Sequence, residues 1–168
     1  DEAMRFFGEL ALLHQRSWAA RGKPGAFASP RFTAFHRELI ARLLPAGRIS
    51  LMRISAGERT IGVLYGFVFE GVLHHYQSGY SYPEDNRLSP GTVALSQAIQ
   101  FCAGRRDLRR FDFMAGDSRY KQSLSTDSGS VVSLIVRRPT IRRLLVDVLK
   151  HARATARNGR KRVALHAR

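Results

Sequence analysis

Between Arg59 and Phe69 the chain alternates: Ile61, Val63, Tyr65, Phe67 and Phe69 fall on one face, and Gly62, Leu64, Gly66 and Val68 on the other. A period of two predicts a strand rather than a helix. Ala56-Gly57 and Glu70-Gly71 supply tight turns on either side. With strands over Ile49–Ser55 and Val72–Gly79, the pattern therefore predicts a three-stranded antiparallel meander. Interior glycines weaken a strand, so Gly62 and Gly66 mark a place where a backbone or a ligand approaches closely.

The flanking segments read as helices. From Glu2 to Ala20, apolar residues recur at Phe6, Leu10, Leu13 and Ala20, with Phe7 and Trp18 beside them, and Arg21-Gly22-Lys23-Pro24-Gly25 ends the run. A second helix fits Pro30–Leu44, with Ser29 as N-cap, Pro30 in the first position and a stripe of Phe32, Phe35, Leu39 and Leu43. Tyr80–Pro90 is polar and turn-rich. A helix over Gly91–Ala103, a strand over Arg109–Met114, a short helical turn and a strand over Ser130–Arg137 follow. Pro139 then opens a last helix, with Ile141, Leu144, Leu145, Val148 and Leu149 as its buried stripe. The fold class expected is α+β, a mixed but mainly antiparallel sheet flanked by helices.

Composition narrows this picture. The 168 residues suit one domain, expected over 1–150, and an apolar fraction of 44% with 24% charged residues is ordinary for a globular chain. No apolar run is long enough to span a bilayer, and no secretory signal pattern opens the chain. The single cysteine, Cys102, excludes an internal disulfide and fits a reducing, cytoplasmic setting as a core residue. Net charge is +15, and eleven Arg or Lys residues lie between Arg137 and Arg168 against one acid, Asp147. That basic end, with 151–168 as a tail, is either a phosphate-seeking surface or simply solvated. The chain begins at Asp1 rather than Met, which is read as a piece of something longer.

Three segments carry a resemblance. Tyr76-Gln77-Ser78-Gly79-Tyr80, Ser89-Pro90-Gly91 and Phe111-Asp112-Phe113 followed by Gly116-Asp117-Ser118-Arg119-Tyr120-Lys121 resemble the GNAT acyltransferases. Within them they are similar to the branch that includes CelD-like proteins of cellulose biosynthesis and the FemAB-like transferases. The likeness covers about Phe6 to Arg138. It implies a GNAT-like domain that moves an acyl group, acetyl from acetyl-CoA, to an amine or a sugar hydroxyl by direct attack. It also implies a second GNAT-like half upstream. Some FemAB-like relatives use aminoacyl-tRNA as donor, so a tRNA partner is the rival within the enzyme class; a non-catalytic nucleic-acid-binding module using the basic C-terminus is the rival outside it. One departure stands out. Ordinary GNAT enzymes hold pyrophosphate with an Arg/Gln-x-x-Gly-x-Gly/Ala turn, whereas this chain reads Arg87-Leu88-Ser89-Pro90-Gly91-Thr92, with one glycine and a proline that cannot donate an N–H.

The resemblance places the thioester beside Ser78, Gly79 and Tyr80, where the GNAT sheet splays between Val72–Gly79 and Arg109–Met114, and the donor phosphates near Pro90, Gly91 and Thr92. Asp112 is the first candidate for a base or an amine-orienting carboxylate, because it alternates with the apolar Phe111 and Phe113. The alternative is a carboxylate paired with Arg105, Arg106, Arg109 or Arg110. Asp117, at a turn after Gly116, either serves the site or caps the next helical turn. Tyr120 either protonates the leaving thiolate or packs, and Lys121 either binds an anion or is solvated. His74 and His75 point to opposite faces of one strand and, like His14 and His36, read as structural histidines. No metal-ligand spacing, activated nucleophile, P-loop or dinucleotide fingerprint is present.

Overall fold

The structure, a computed structural model, describes residues 2–83 and 88–136. The chain divides into two compact units, Asp1–Ser128 and Gly129–Arg168. The first is an α+β unit in the order α1 (Glu2–Ala19), a short 3-10 turn (Ala26–Ala28), α2 (Pro30–Leu43), β1 (Ile49–Ala56), β2 (Arg59–Phe69), β3 (Val72–Tyr80), α3 (Pro90–Ala103), β4 (Arg110–Asp112) and α4 (Arg119–Leu124). Its single described sheet runs β1-β2-β3-β4. The first three strands pair antiparallel as the meander predicts, and β4 joins β3 in parallel.

Helices α1 and α2 cover one face. Phe7, Leu10 and Leu13 of α1 and Ile40 of α2 pack with Val63 and Tyr65 of β2. The buried stripe of α1 runs through Phe7 and His14 rather than through Phe6 and Ala20. On α2 it runs through His36 and Ile40, flanked by the half-buried Phe32 and Leu43, while Phe35 faces solvent. An i, i+4 spacing from Phe32 through His36 to Ile40 keeps one face, and it takes a histidine inward because Tyr65 Oη lies 3.2 Å from His36 Nδ1. Ser29 caps α2 by accepting from Phe32 N at 3.3 Å, with Pro30 next to it, as expected. The opposite face carries α3, whose Ala94, Leu95 and Ala98 pack on Leu64, and whose Cys102 packs with Leu73 and Leu108.

Two bulges edit the alternation. Register shifts between Ile54 and Ser55 leave Ile61 unpaired on β2, and Ile61 packs with the α3 cluster rather than with Val63 and Tyr65. On β3 the pairing passes from Tyr65↔Gln77 to Gly66↔His75, so Tyr76 is the extra residue. The two glycines of β2 mark close approach by the protein itself. A Cβ on Gly62 would lie 2.8 Å from the Tyr80 ring, and one on Gly66 would lie 2.7 Å from the His74 carbonyl.

Two expectations need correction. The strand at Arg109–Met114 is shorter, three residues from Arg110 to Asp112, because pairing with β3 stops at His74↔Asp112. The segment expected as a strand over Ser130–Arg137 has no strand pairing in its described residues, 130–136, and Val131, Val132, Leu134, Ile135 and Val136 are exposed. Apolar, β-branched composition gives strand propensity, but a strand needs a partner for its backbone groups. Arg137, the helix expected after Pro139 and the basic tail lie outside the described residues.

Candidate functional site

The site follows from where the β3–β4 ladder stops. Pairing with β4 ends at His74↔Asp112, and β3 continues from His75 to Tyr80 paired with β2 only. Along that stretch the β4-side edge has no strand partner among the described residues, and its backbone groups face a cleft of about 540 Å³. The floor is His75–Tyr80. One wall is the last turns of α1 with His14, Ser17 and Trp18, and the other is the segment from Phe113 to Ala115 with Tyr120 and Lys121 of α4. Gly79 lets α1 come this close, since a Cβ there would lie 2.6 Å from the Leu10 carbonyl oxygen and 2.9 Å from His14 N.

The bulge at Tyr76 decides which side chains share a face. Without it, His75 would sit with Gln77 and Gly79. With it, His75 is opposite Gly66, Ser78 opposite Leu64 and Tyr80 opposite Gly62, which are alternate positions of β2. His75, Ser78 and Tyr80 therefore lie on one side of β3, the side that carries α3. Burial pushes the Tyr80 phenol up to about 12, against a hydrogen bond with Ser78 that acts in the opposite direction. His75 is only 7% exposed, packs 5.9 Å from the Phe111 ring, and its Nε2 has no hydrogen-bond partner among the described residues. Burial first, and then the nearby Lys121 ammonium, lower its pKa to about 4.

The expected catalytic residues separate into two groups. Tyr120 and Lys121 line the cleft; Asp112 and Asp117 are not among its lining residues. Among the described residues Asp112 pairs with no arginine. Its Oδ1 accepts from Met114 N at 2.6 Å and its Oδ2 lies 3.3 Å from His74 Nδ1. Asp117 is exposed and accepts from Gln122 Nε2 at 2.5 Å; the residue preceding α4 is Ser118. Lys121 Nζ donates to the carbonyls of Met114, at 3.2 Å, and Ala115, at 2.7 Å. Tyr120 meets the Phe113 ring edge-on at 6.1 Å.

Of the expected donor contacts, Ser78, Gly79 and Tyr80 line the cleft, while Pro90, Gly91 and Thr92 do not. These last three open α3 beside it, close enough that a Cβ on Gly91 would lie 3.5 Å from the Tyr80 ring. The N–H groups of Thr92 and Val93 both donate to the Ser89 carbonyl, so this helix start has fewer amides to offer an anion than a glycine-rich turn would. Arg87 lies outside the described residues. Among the described residues no cluster of three or more His, Cys, Asp or Glu side chains could hold a metal ion, and no helix is long and apolar enough to cross a membrane.

Sequence reasoning read His75 and His14 as structural histidines; both line the cleft. The signal for His75 was the Gly-Tyr strand end together with the bulge, and nothing in the spacing of one strand discloses a bulge.

A four-stranded mixed sheet that opens after one parallel pair, with a cleft at the opening, is the plan of an acyl-transfer domain. Residues 1–122 match a family model described as an acetyltransferase (GNAT) domain, and the chain belongs to that family. Neither a curated protein nor a solved structure matches it.

Proposed function

We propose that this domain transfers an acyl group, acetyl from acetyl-CoA, to an amine or to a sugar hydroxyl that enters the cleft between α1 and α4 and attacks the thioester directly. The observation that supports this most is the β4-side edge of β3 from His75 to Tyr80, which has no strand partner among the described residues. It offers backbone donors and acceptors in a fixed row to an extended amide-bearing arm, and a preorganised row of this kind stabilises developing charge at a carbonyl oxygen. Tyr120, on the opposite wall, is the group that supplies a proton to the departing thiolate. Asp112 and Lys121 shape the wall through Met114. The finer placement, in the branch with CelD-like and FemAB-like proteins and with an upstream half, rests on the Tyr76–Tyr80, Ser89–Gly91 and Gly116–Lys121 segments.

The test is release of free thiol from acetyl-CoA by the purified chain with a mixed library of amines and sugars. Acceptor-dependent release that falls in Tyr120→Phe supports the reading. No release by a chain that binds no acyl-CoA rejects it.

A further inference from the structure

The last rung of the parallel ladder is held by side chains as well as by backbone. His74 and Asp112 are partners across β3 and β4, so their side chains leave the sheet on one face. His74 Nδ1 lies 3.3 Å from Asp112 Oδ2. At the next residue of β3 the two strands part and the cleft begins.

The other oxygen of the same carboxylate holds a wall of that cleft. Asp112 Oδ1 accepts from Met114 N at 2.6 Å, and Met114 stands in the left-handed region at φ +59°. An ordinary side chain keeps that conformation only where its surroundings impose it. Both members of the pair are in part exposed, His74 at 32% and Asp112 at 41%, so water competes for the carboxylate. With one hydrogen bond alone, such a carboxylate can turn about its Cβ–Cγ bond and exchange Met114 N for water. A second group beside Oδ2 opposes the turn. His74 is suited to this because its strand is paired on both sides at that point, with Phe67 of β2 and with Asp112 of β4. A proton on Nδ1 serves whether the ring is neutral or charged.

We propose that His74 is a positioning residue for the cleft. It acts through Asp112: it fixes the carboxylate that fixes the Met114 turn, and so the wall that stands across the cleft from α1. As a contribution to turnover this rests on the acyl-transfer reading above. The position of Met114 does not, and it can be followed with no acyl-CoA present.

The chain has three methionines, Met4, Met52 and Met114. Methyl-labelled methionine therefore reports the Met114 turn by NMR, with Met4 on α1 and Met52 on β1 as controls of the fold, and Met114→Leu identifies the resonance. Spectra, and thiol release from acetyl-CoA with the mixed acceptor library, are compared for wild type, His74→Gln, His74→Leu, Asp112→Ala and the double variant His74→Leu/Asp112→Ala. His74→Ala serves as a second variant without a donor. Gln and Leu both lack the ring, so a difference between them reports the donor and not a lost ring current. The expected result is a displaced Met114 resonance in His74→Leu, with Met4 and Met52 unmoved. His74→Gln returns it toward the wild-type position, and His74→Leu adds nothing once Asp112 is gone. Thiol release keeps the same order: about fivefold lower in His74→Leu, and no lower in the double variant than in Asp112→Ala. A histidine that only stabilised the sheet would shift the unfolding midpoint without that order. An unmoved Met114 resonance in His74→Leu, equal displacement in His74→Gln and His74→Leu, or losses that multiply in the double variant overturns the proposal. The expected resonances in a chain that releases no thiol show instead that the acyl-transfer reading has failed while the hold on Met114 stands.

Discussion

Asp112 and Lys121 hold the same residue from opposite sides. The Asp112 carboxylate takes the N–H of Met114 and the Lys121 ammonium takes its carbonyl, along with that of Ala115. Met114 needs holding: its φ of +59° is left-handed, a conformation that costs an ordinary side chain about 1–2 kcal/mol. Met114 and Ala115 form a wall of the cleft, so both charged groups hold the backbone of that wall. Asp112→Asn, which keeps an acceptor oxygen, is expected to retain most of the turnover, whereas Asp112→Ala and Lys121→Ala lose about tenfold or more as the wall shifts. Steady-state rates on the three variants check this. An Asn variant as inactive as the Ala variant would mean that the carboxylate itself handles a proton.

Acid should destabilise the fold through its buried histidines. His14, His36 and His75 all have pKa values lowered first by burial, His75 to about 4. A histidine that titrates lower in the folded chain than in the unfolded chain leaves the unfolded state binding more protons between the two values. Its contribution is fully present above about pH 6.5 and is lost as pH falls toward 4. For His75 alone that loss amounts to about 3 kcal/mol. Denaturant unfolding at pH 7.5, 5.5 and 4.5 is expected to show the decline, with a shallower slope in His75→Gln. A stability that stays flat over this range contradicts the buried, neutral state of the ring.

The meander and the helix ends were legible in the sequence because their signals are local. Alternation in Arg59–Phe69 and the turn dipeptides Ala56-Gly57 and Glu70-Gly71 fix β1, β2 and β3 without knowledge of any distant residue. Ser29 and Pro30 likewise fix the start of α2. What was not legible depended on pairing across the chain. Asp112 finds His74 rather than a neighbouring arginine because β4 docks parallel to β3. His75 enters the site because of a bulge that is defined only against β2. Ser130–Val136 shows the converse, with a strand-like composition that has no strand partner in the described residues. Ser78, Gly79, Tyr80, Tyr120 and Lys121, which the resemblance singled out, do line one cleft, because a resemblance carries a tertiary context that periodicity lacks.

Two glycines separate packing from propensity. Gly79→Ala forces a Cβ to within 2.6 Å of the Leu10 carbonyl oxygen and 2.8 Å of Leu13 Cβ, both on α1. Backbone cannot swing aside, so the expected cost is about 1–3 kcal/mol, together with displacement of the α1 wall and loss of activity. Gly8→Ala, inside α1 with nothing within 4 Å of the new Cβ, is expected to stabilise the domain by about 0.5–1 kcal/mol and leave activity alone. Thermal midpoints for the two variants check the contrast.

The central claim is that the open edge of β3 holds an acyl-CoA. Thermal unfolding of the chain with acetyl-CoA, with free CoA and with a short tRNA mimic, at low and moderate salt, tests it most directly. A ligand that binds only the folded state stabilises it by about 2.7 kcal/mol at a concentration a hundred times its Kd. The account predicts a midpoint rise with acetyl-CoA and CoA that persists at moderate salt and is lost in Gly79→Ala. No rise with either, or a rise with the tRNA mimic alone that vanishes with salt, would contradict it.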